Sequence, residues 1–349
     1  MGGGSFTRKV ARVIGTSPDP VASAMKITVL SRSASISSTR RIVDAGRARG
    51  HRVRVLNPLR VQMHLDGGSR ATLLYDRKKL TPTDVVIPRI ALSISTYGLA
   101  VVNQFGLARV PLVNHAQAIA QSRNKMRALQ LLSAHGIDIP ATVMARDAAH
   151  LKEMVGLVGG VPVLVKLLQG QEKHGVMVCE SLQSLEAALE AVLGLGHNLV
   201  MQEYVRSTGQ DVRVLVVGGE AIAAVLRKPR PGRLSHTLNR GARLEALALS
   251  PSHRATAEKV ARLVGLEVAA VDLLDVQGQP KVFEVNSSPA LLEMEAATGM
   301  DLATPIILRA EALVSGAAPV WSAALETPQA LLPPPAARKG VAKVGVPRS

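Results

Sequence analysis

Aromatic residues make up only 2% of this 349-residue chain, and there is a single cysteine, Cys179. One thiol excludes an internal disulfide and a thiolate metal cluster. In its strand-like run Cys179 reads as a small core residue. So few aromatics make broad stacking on nucleic-acid bases a poor fit. No apolar run approaches the ~18 residues of a membrane-spanning helix, so no membrane association is expected and a reducing cytoplasm fits. There is no G-x-G-x-x-G, which argues against a dinucleotide fold. No Ser–His–Asp or Cys–His arrangement stands out. His174 and His236 read as surface residues more readily than as catalysts.

What is present is aliphatic and basic. Hydrophobic residues reach 47%, so the core is built from Leu, Val, Ile and Ala. The formal charge is +16. Residues 1–24 carry +2 of it and residues 316–349 carry +3, which leaves +11 on the body. Such a body favours anionic partners (nucleotide, acidic peptide or RNA), with general solubility as the competing explanation.

Residues 1–24 read as a flexible arm, and Met25 begins the folded body. From about Ala317 the composition turns to Ala, Pro and basic residues, a disordered tail by composition. Between them the chain is long enough for two or three cored domains. Strands at Ile27–Leu30, Val53–Leu56, Val85–Ile87 and Val110–Val113 alternate with helices at Ser37–Arg49 and Tyr97–Leu107. That βαβ rhythm predicts a small parallel sheet. A helix over Ala116–His135 follows, then strands and helices through 139–203. The last region holds strands at 212–217 and 221–227, a helix at 252–264, a hairpin, and helices near 291–298 and 301–314.

The hairpin is the most informative feature. Val268–Leu274 and Lys281–Val285 are β-rich runs around a turn, which sets Asp272 beside Glu284. Glu284 and Asn286 are two apart and project from one face. Three hard oxygen donors on one face suit Mg²⁺, which keeps waters and bridges nucleotide phosphates. The alternative is a solvated hairpin with ordinary surface acids. Lys166 ends an apolar run, Val163–Leu168, where a buried lysine needs a partner. A phosphate is one, and a lysine snorkelling from a strand edge is the other reading. The loop at 169–175 is framed by two glycines and could offer backbone N–H groups to phosphates. Met201–Val205 ends a strand where backbone groups meet an adenine edge, or is simply a strand end. Asp211 and Arg213 share a face, either for ribose hydroxyls and a phosphate or for a cross-strand salt bridge.

In this order the pieces resemble the ATP-grasp ligases, and most closely the RimK family, which adds glutamate to the C-terminus of a small-subunit ribosomal protein. The runs that carry the resemblance lie between about Met25 and Val314. They are Met25-Lys-Ile-Thr-Val-Leu-Ser-Arg, Val86-Ile-Pro-Arg-Ile, Arg123-Asn-Lys-Met-Arg, Val165-Lys-Leu, Gln202-Glu-Tyr, Asp211-Val-Arg, Leu238-Asn-Arg-Gly, Val271-Asp-Leu-Leu and Glu284-Val-Asn-Ser-Ser-Pro. The resemblance implies an α/β ATP-grasp fold, with an N-terminal βαβ pre-ATP-grasp domain (25–113) and two α+β subdomains (114–198 and 199–315) enclosing ATP. It implies that Lys125 and Lys166 contact ATP phosphates, that Glu203 and Tyr204 lie at the adenine hinge, and that Asp211 lies at the ribose. Asp272, Glu284 and Asn286 would hold two Mg²⁺, with Mn²⁺ as a substitute. Arg213 and Arg240 would face the reacting carboxylate or its phosphate, and Arg89 would lie on the substrate side.

The implied reaction joins a carboxylate to an amine through an acyl phosphate. The substrates would be ATP, glutamate or a related amino acid, and an acidic protein tail or small carboxylate as acceptor, with ribosome association possible. The chain departs from the family's pattern in several places. Glu172, Lys173 and His174 stand in the loop that usually carries glycine and small residues. Ser235-His236-Thr237 replaces Arg-Ser-Asn, Leu226 stands where glutamate is common, and Ala290 replaces a glycine. These departures keep a second expectation open: a catalytically weakened Mg-ATP-binding regulator that docks on the ribosome or RNA.

Overall fold

In the computed structural model, the structure describes residues 23–65, 72–147, 150–167, 176–194, 199–205, 210–229 and 242–320. The arm before Ser23, the loop 169–175, the segment 230–241 with Ser235–Thr237 and Arg240, and the tail beyond Val320 lie outside the described residues.

The N-terminal unit opens with β1 (Lys26–Leu30), α1 (Ser37–Ala48) and β2 (Arg52–Leu56). Strands β3 (Val61–His64), β4 (Thr72–Tyr75) and β5 (Lys78–Lys79) follow, then β6 (Val85–Pro88) and α2 (Ser95–Leu107). The expected parallel sheet is present in the order β2-β1-β6. Ile27, Val29, Val85 and Ile87 are buried in it. The antiparallel sheet β3-β4-β5 was not anticipated. Its strands are only four, four and two residues long, too short for the alternation in Val61-Gln-Met-His64 to stand out. The expected strand Val110–Val113 shrinks to one bridge, Val86 with Leu112. Pro111 has no N–H to extend the ladder.

The expected helix Ala116–His135 breaks in two, α3 (Ala116–Arg123) and α4 (Lys125–Ala134). Asn124 leaves helical geometry, and its side chain accepts the Arg127 N–H at 3.0 Å, capping α4. Asparagine is among the best N-cap residues, and the apolar periodicity on either side hid it. The break makes Lys125 the first residue of a helix, where the positive end of the dipole disfavours a cation.

A four-stranded antiparallel sheet follows, from β7 (Thr142–Ala145), β8 (Val163–Leu167), β9 (Val176–Cys179) and β10 (Leu199–Glu203), in the order β7-β10-β8-β9. Among the helices expected through 139–203, the first is α5 (Leu151–Leu157). With α6 (Leu182–Gly194) it covers one face, where Leu151, Val155, Leu185 and Leu189 meet Val163, Val165, Met201 and Cys179.

The last sheet has β11 (Asp211–Val217), β12 (Glu220–Lys228), β13 (Arg243–Ala246), β14 (Val268–Val276) and β15 (Gln279–Asn286), in the antiparallel order β13-β12-β11-β14-β15. Alternation divides it. Val212, Val214, Val216 and Val271 pack on α7 (Pro251–Val264). Leu215, Val217 and Val225 face the N-terminal sheet, together with α8 (Leu292–Thr298) and α9 (Thr304–Val314). The two units share this second core. Glu311 on α9 is 2% exposed and takes Arg49 and His51 of the N-terminal unit. Asn114 ties the junction: its amide donates to the carbonyls of Val268 and Ser287, and its Oδ1 accepts from Glu267 and Val268. With both ends satisfied inside the core, it fixes the start of β14 and the exit of β15 against the N-terminal sheet.

Candidate active site

Antiparallel register assembles a charged cluster at one end of the last sheet. Arg213 sits opposite Asp272, Asp272 opposite Glu284, Asp211 opposite Arg227, and Ala270 opposite Asn286. All lie on the face turned from α7. The hairpin predicted from sequence is there, with one correction: Asp272 is fully buried and already paired. Arg213 donates Nε to its Oδ1 and Nη2 to its Oδ2, both at 2.7 Å. Arg227 Nη2 lies 2.9 Å from Oδ2. Burial pushes the Asp272 carboxyl up, but the two arginines outweigh it and hold it below its ordinary range. Asp211 is pushed up by burial, aided by Asp272 and opposed by Arg227. Its carboxylate accepts from Arg227 Nε and is 8% exposed. The cross-strand salt bridge is therefore the arrangement seen for Asp211, and the structure does not turn it out toward a ribose.

Lys125 and Lys166 converge on Glu284 from different elements. Lys125 Nζ is 4.0 Å from Glu284 Oε1. Lys166 Nζ donates to Gln202 Oε1, and Gln202 Nε2 donates to Thr142 Oγ1 at 2.8 Å. Burial pulls the Lys166 ammonium down to about 8, with the charge of Lys125 adding to the shift and Glu284 opposing it. The side chain is half-buried, with its ammonium turned to Gln202. Two ammonium groups near one carboxylate leave N–H donors available to a further anion such as a phosphate.

At the end of β10 the Glu203 side chain is spent on structure. Its Oε2 accepts the Ala141 N–H at 3.0 Å and lies 3.3 Å from Lys281 Nζ. Its own N–H donates to the Ala141 carbonyl. Tyr204 and Val205 continue from it. Arg89 lies across the site, in the N-terminal unit, and donates Nη2 to the Pro289 carbonyl at 2.8 Å. A cavity of about 280 Å³ opens here, lined among others by Arg89, Arg123, Lys125, Glu284, Asn286 and Ser288. Arg240, expected beside Arg213, lies outside the described residues.

The donor set fits a magnesium ion in part. Glu284 and Asn286 line the cavity and offer hard oxygens, and Asn286 Oδ1 also accepts the Ser288 N–H at 2.8 Å. Asp272 stands beside them with its oxygens turned to Arg213 and Arg227. Among the described residues no three His, Cys, Asp or Glu side chains group as a metal site.

Arg227 is the residue that sequence reasoning missed. It ends an apolar run, Ala221 to Leu226, as Lys166 ends its own, and that was the available signal. Leu226, singled out as a departure, packs toward the α7 side, away from the cluster.

Comparison with known proteins agrees with this geometry. Residues 25–119 match the RimK PreATP-grasp domain and residues 122–309 the RimK-like ATP-grasp domain. The probable alpha-L-glutamate ligase of Aeromonas salmonicida (strain A449) is 44% identical over 284 residues, 81% of this chain and 95% of that protein. That of Pseudomonas aeruginosa (strain UCBPP-PA14) is 43% identical, over 81% of this chain and 94% of its own. Among solved structures, the ATP-grasp ligase PsnB complexed with minimal precursor superposes with TM-score 0.66 at 21% identity, over 84% of this chain and 99% of that one. The D-alanine–D-alanine ligase of Bacillus anthracis complexed with ATP gives TM-score 0.59 at 16% identity, over 83% and 97%. These structural likenesses establish the ATP-grasp fold. With family matches across both units and curated relatives above 40% identity, the chain belongs to the RimK-like ATP-grasp family of ATP-dependent ligases.

Proposed function

We propose that this ligase joins the amine of glutamate, or a closely related amino acid, to a carboxylate on an acidic protein tail or small acceptor. The observation that carries the reading is the convergence of Lys125, Lys166 and Glu284 beside the Arg213–Asp272–Arg227 cluster. An acceptor carboxylate oxygen attacks the γ-phosphorus of ATP, and ADP leaves. The amine then attacks the acyl carbon of the acyl phosphate, and inorganic phosphate leaves as the amide forms. The protein's task is to position reactants and offset charge. Lys125 and Lys166 face the phosphates, and the buried Asp272 holds Arg213 and Arg227 in place toward them. Glu284 and Asn286 are the residues that would hold Mg²⁺, which supplies charge neutralisation between the phosphates. The relatives named glutamate ligases support the choice of amino acid.

Charge distribution supports an acidic acceptor. Residues 25–113 hold 15 Lys and Arg against four Asp and Glu, whereas residues 114–315 hold 20 of each. The whole excess of the body thus sits on the N-terminal unit, which forms one wall of the cavity. The test is ADP release with ATP, Mg²⁺, L-glutamate and acidic peptides, with mass spectrometry of the peptide. Amide product formed in step with ADP is expected, and Glu284→Gln should raise the Mg²⁺ concentration needed. Binding of Mg-ATP with no ADP released for any amino acid and acceptor would instead favour the regulator that docks on an anionic partner.

A further inference from the structure

Arg89 lines the cavity with a single side-chain hydrogen bond of its own. Arg123 donates to Ser95 Oγ and the Ile90 carbonyl, and Lys125 faces Glu284. Arg89 gives one N–H to the Pro289 carbonyl. No carboxylate lies within ion-pair distance of it among the described residues. Arg89 is half-buried, and burial pulls its guanidinium down to about 10 with no carboxylate beside it to offset the shift. Ser288, the residue just before Pro289, has a buried Oγ with no partner among the described residues. Its N–H is already taken by Asn286. A half-buried guanidinium with unspent donors and an unpartnered buried hydroxyl are each costly. An oxyanion relieves both: the planar guanidinium offers parallel N–H donors and the hydroxyl adds one more.

We propose that Arg89 and Ser288 seat a carboxylate of the free amino acid whose amine is joined, which makes them specificity residues for that substrate. The inference rests on the ligase reading above and deepens it. The cavity is at the low end of the ~300–1,000 Å³ of small-molecule pockets, which suits one amino acid better than a length of protein tail. It also sets the seat against Glu284 and Asn286, so an amino acid anchored on the N-terminal unit faces the end of the sheet where phosphates are expected. The Ile90 side chain holds the seat in place, because α2 approaches so closely that a Cβ at Gly98 would lie 2.5 Å from Ile90 Cγ2.

The experiment uses the full chain with Arg89→Gln and, as the milder variant, Ser288→Ala. ADP release is measured with L-glutamate varied, then ATP varied, then acceptor peptide varied. Loss of a charge-assisted contact predicts a KM for L-glutamate raised about ten- to a hundredfold in Arg89→Gln. A smaller rise is expected in Ser288→Ala, with KM for ATP and acceptor unchanged in both. Two analogues identify the carboxylate: 4-aminobutyrate lacks the one on the α-carbon, and L-2-aminobutyrate lacks the one on the side chain. The analogue whose KM ignores Arg89→Gln is the one missing the seated group. An unchanged KM for L-glutamate overturns the proposal. So does a rise confined to ATP, which would make the seat a phosphate site, or one confined to acceptor. If the wild-type protein releases no ADP with any amino acid, the ligase reading fails on its own. Calorimetric titration of L-glutamate, with Mg-ADP present, then decides the seat: weaker binding by Ser288→Ala supports it, and equal or absent binding overturns it.

Discussion

Replacing Lys166 with methionine should make the protein more stable near neutral pH while abolishing its hold on ATP. The lysine lies in β8 among Val163, Leu164 and Val165, all buried. Its pKa falls from 10.5 to about 8 through burial and the charge of Lys125. Below pH 8 both folded and unfolded chains carry the proton, and the folded state bears the cost of the half-buried charge. As pH rises from 8 toward 10.5 the folded state loses the proton first, the unfolded state binds more protons, and stability climbs. At about 1.4 kcal/mol per pKa unit the cost is on the order of 3 kcal/mol. The lost hydrogen bond to Gln202 takes back about 1 kcal/mol of what methionine gains. Urea unfolding of both proteins at pH 7 and pH 10 measures this. The variant should be ahead by about 2 kcal/mol at pH 7, and the gap should close at pH 10. ATP should stabilise the wild-type protein and leave the variant unmoved. A variant less stable than wild type at pH 7, or a gap that ignores pH, would refute the view that Lys166 is held charged for a phosphate at the expense of stability.

Three further outcomes follow from the same contacts. Asp272→Asn leaves Arg213 and Arg227 buried with their shared charge partner removed, which should cost about 3–5 kcal/mol in urea unfolding as well as ADP release. Glu311→Ala removes the buried carboxylate that Arg49 and His51 share at the junction of the two units, and a loss of similar size, about 3–5 kcal/mol, is expected with no ligand present. Asn124→Ala removes the cap that makes Lys125 the first residue of α4, so stability should drop by about 1 kcal/mol and ATP affinity should fall, whereas Asn124→Ser should restore both.

Long elements with clean periodicity were legible from the chain: the parallel sheet, both antiparallel strand pairs of the last region, and the hairpin. Short polar strands such as Lys78–Lys79 were not, because two residues have no pattern. The break at Asn124 was missed because a cap interrupts hydrophobicity by only one residue. At the site, the residue types were legible and their pairings were not. Sequence put Asp272 among candidate metal ligands, and only cross-strand register brings Arg213 and Arg227 onto it. Arg227 itself went unremarked because its partners, Asp211 and Asp272, are 16 and 45 positions away. Ser288 shows the same limit: a serine in a loop says nothing until its hydroxyl is seen buried without a partner, next to the Pro289 that Arg89 binds.

The central claim is that ATP cleavage here forms an amide to an amino acid, and one reaction tests it most directly. Purified protein is incubated with ATP, Mg²⁺, L-glutamate and an acidic peptide, and ADP and peptide mass are followed together. The account predicts one ADP released for each glutamate added to the peptide, with both signals lost in Lys166→Met. Mg-ATP binding with neither ADP nor a mass increment, across a panel of amino acids and carboxylate acceptors, would contradict it.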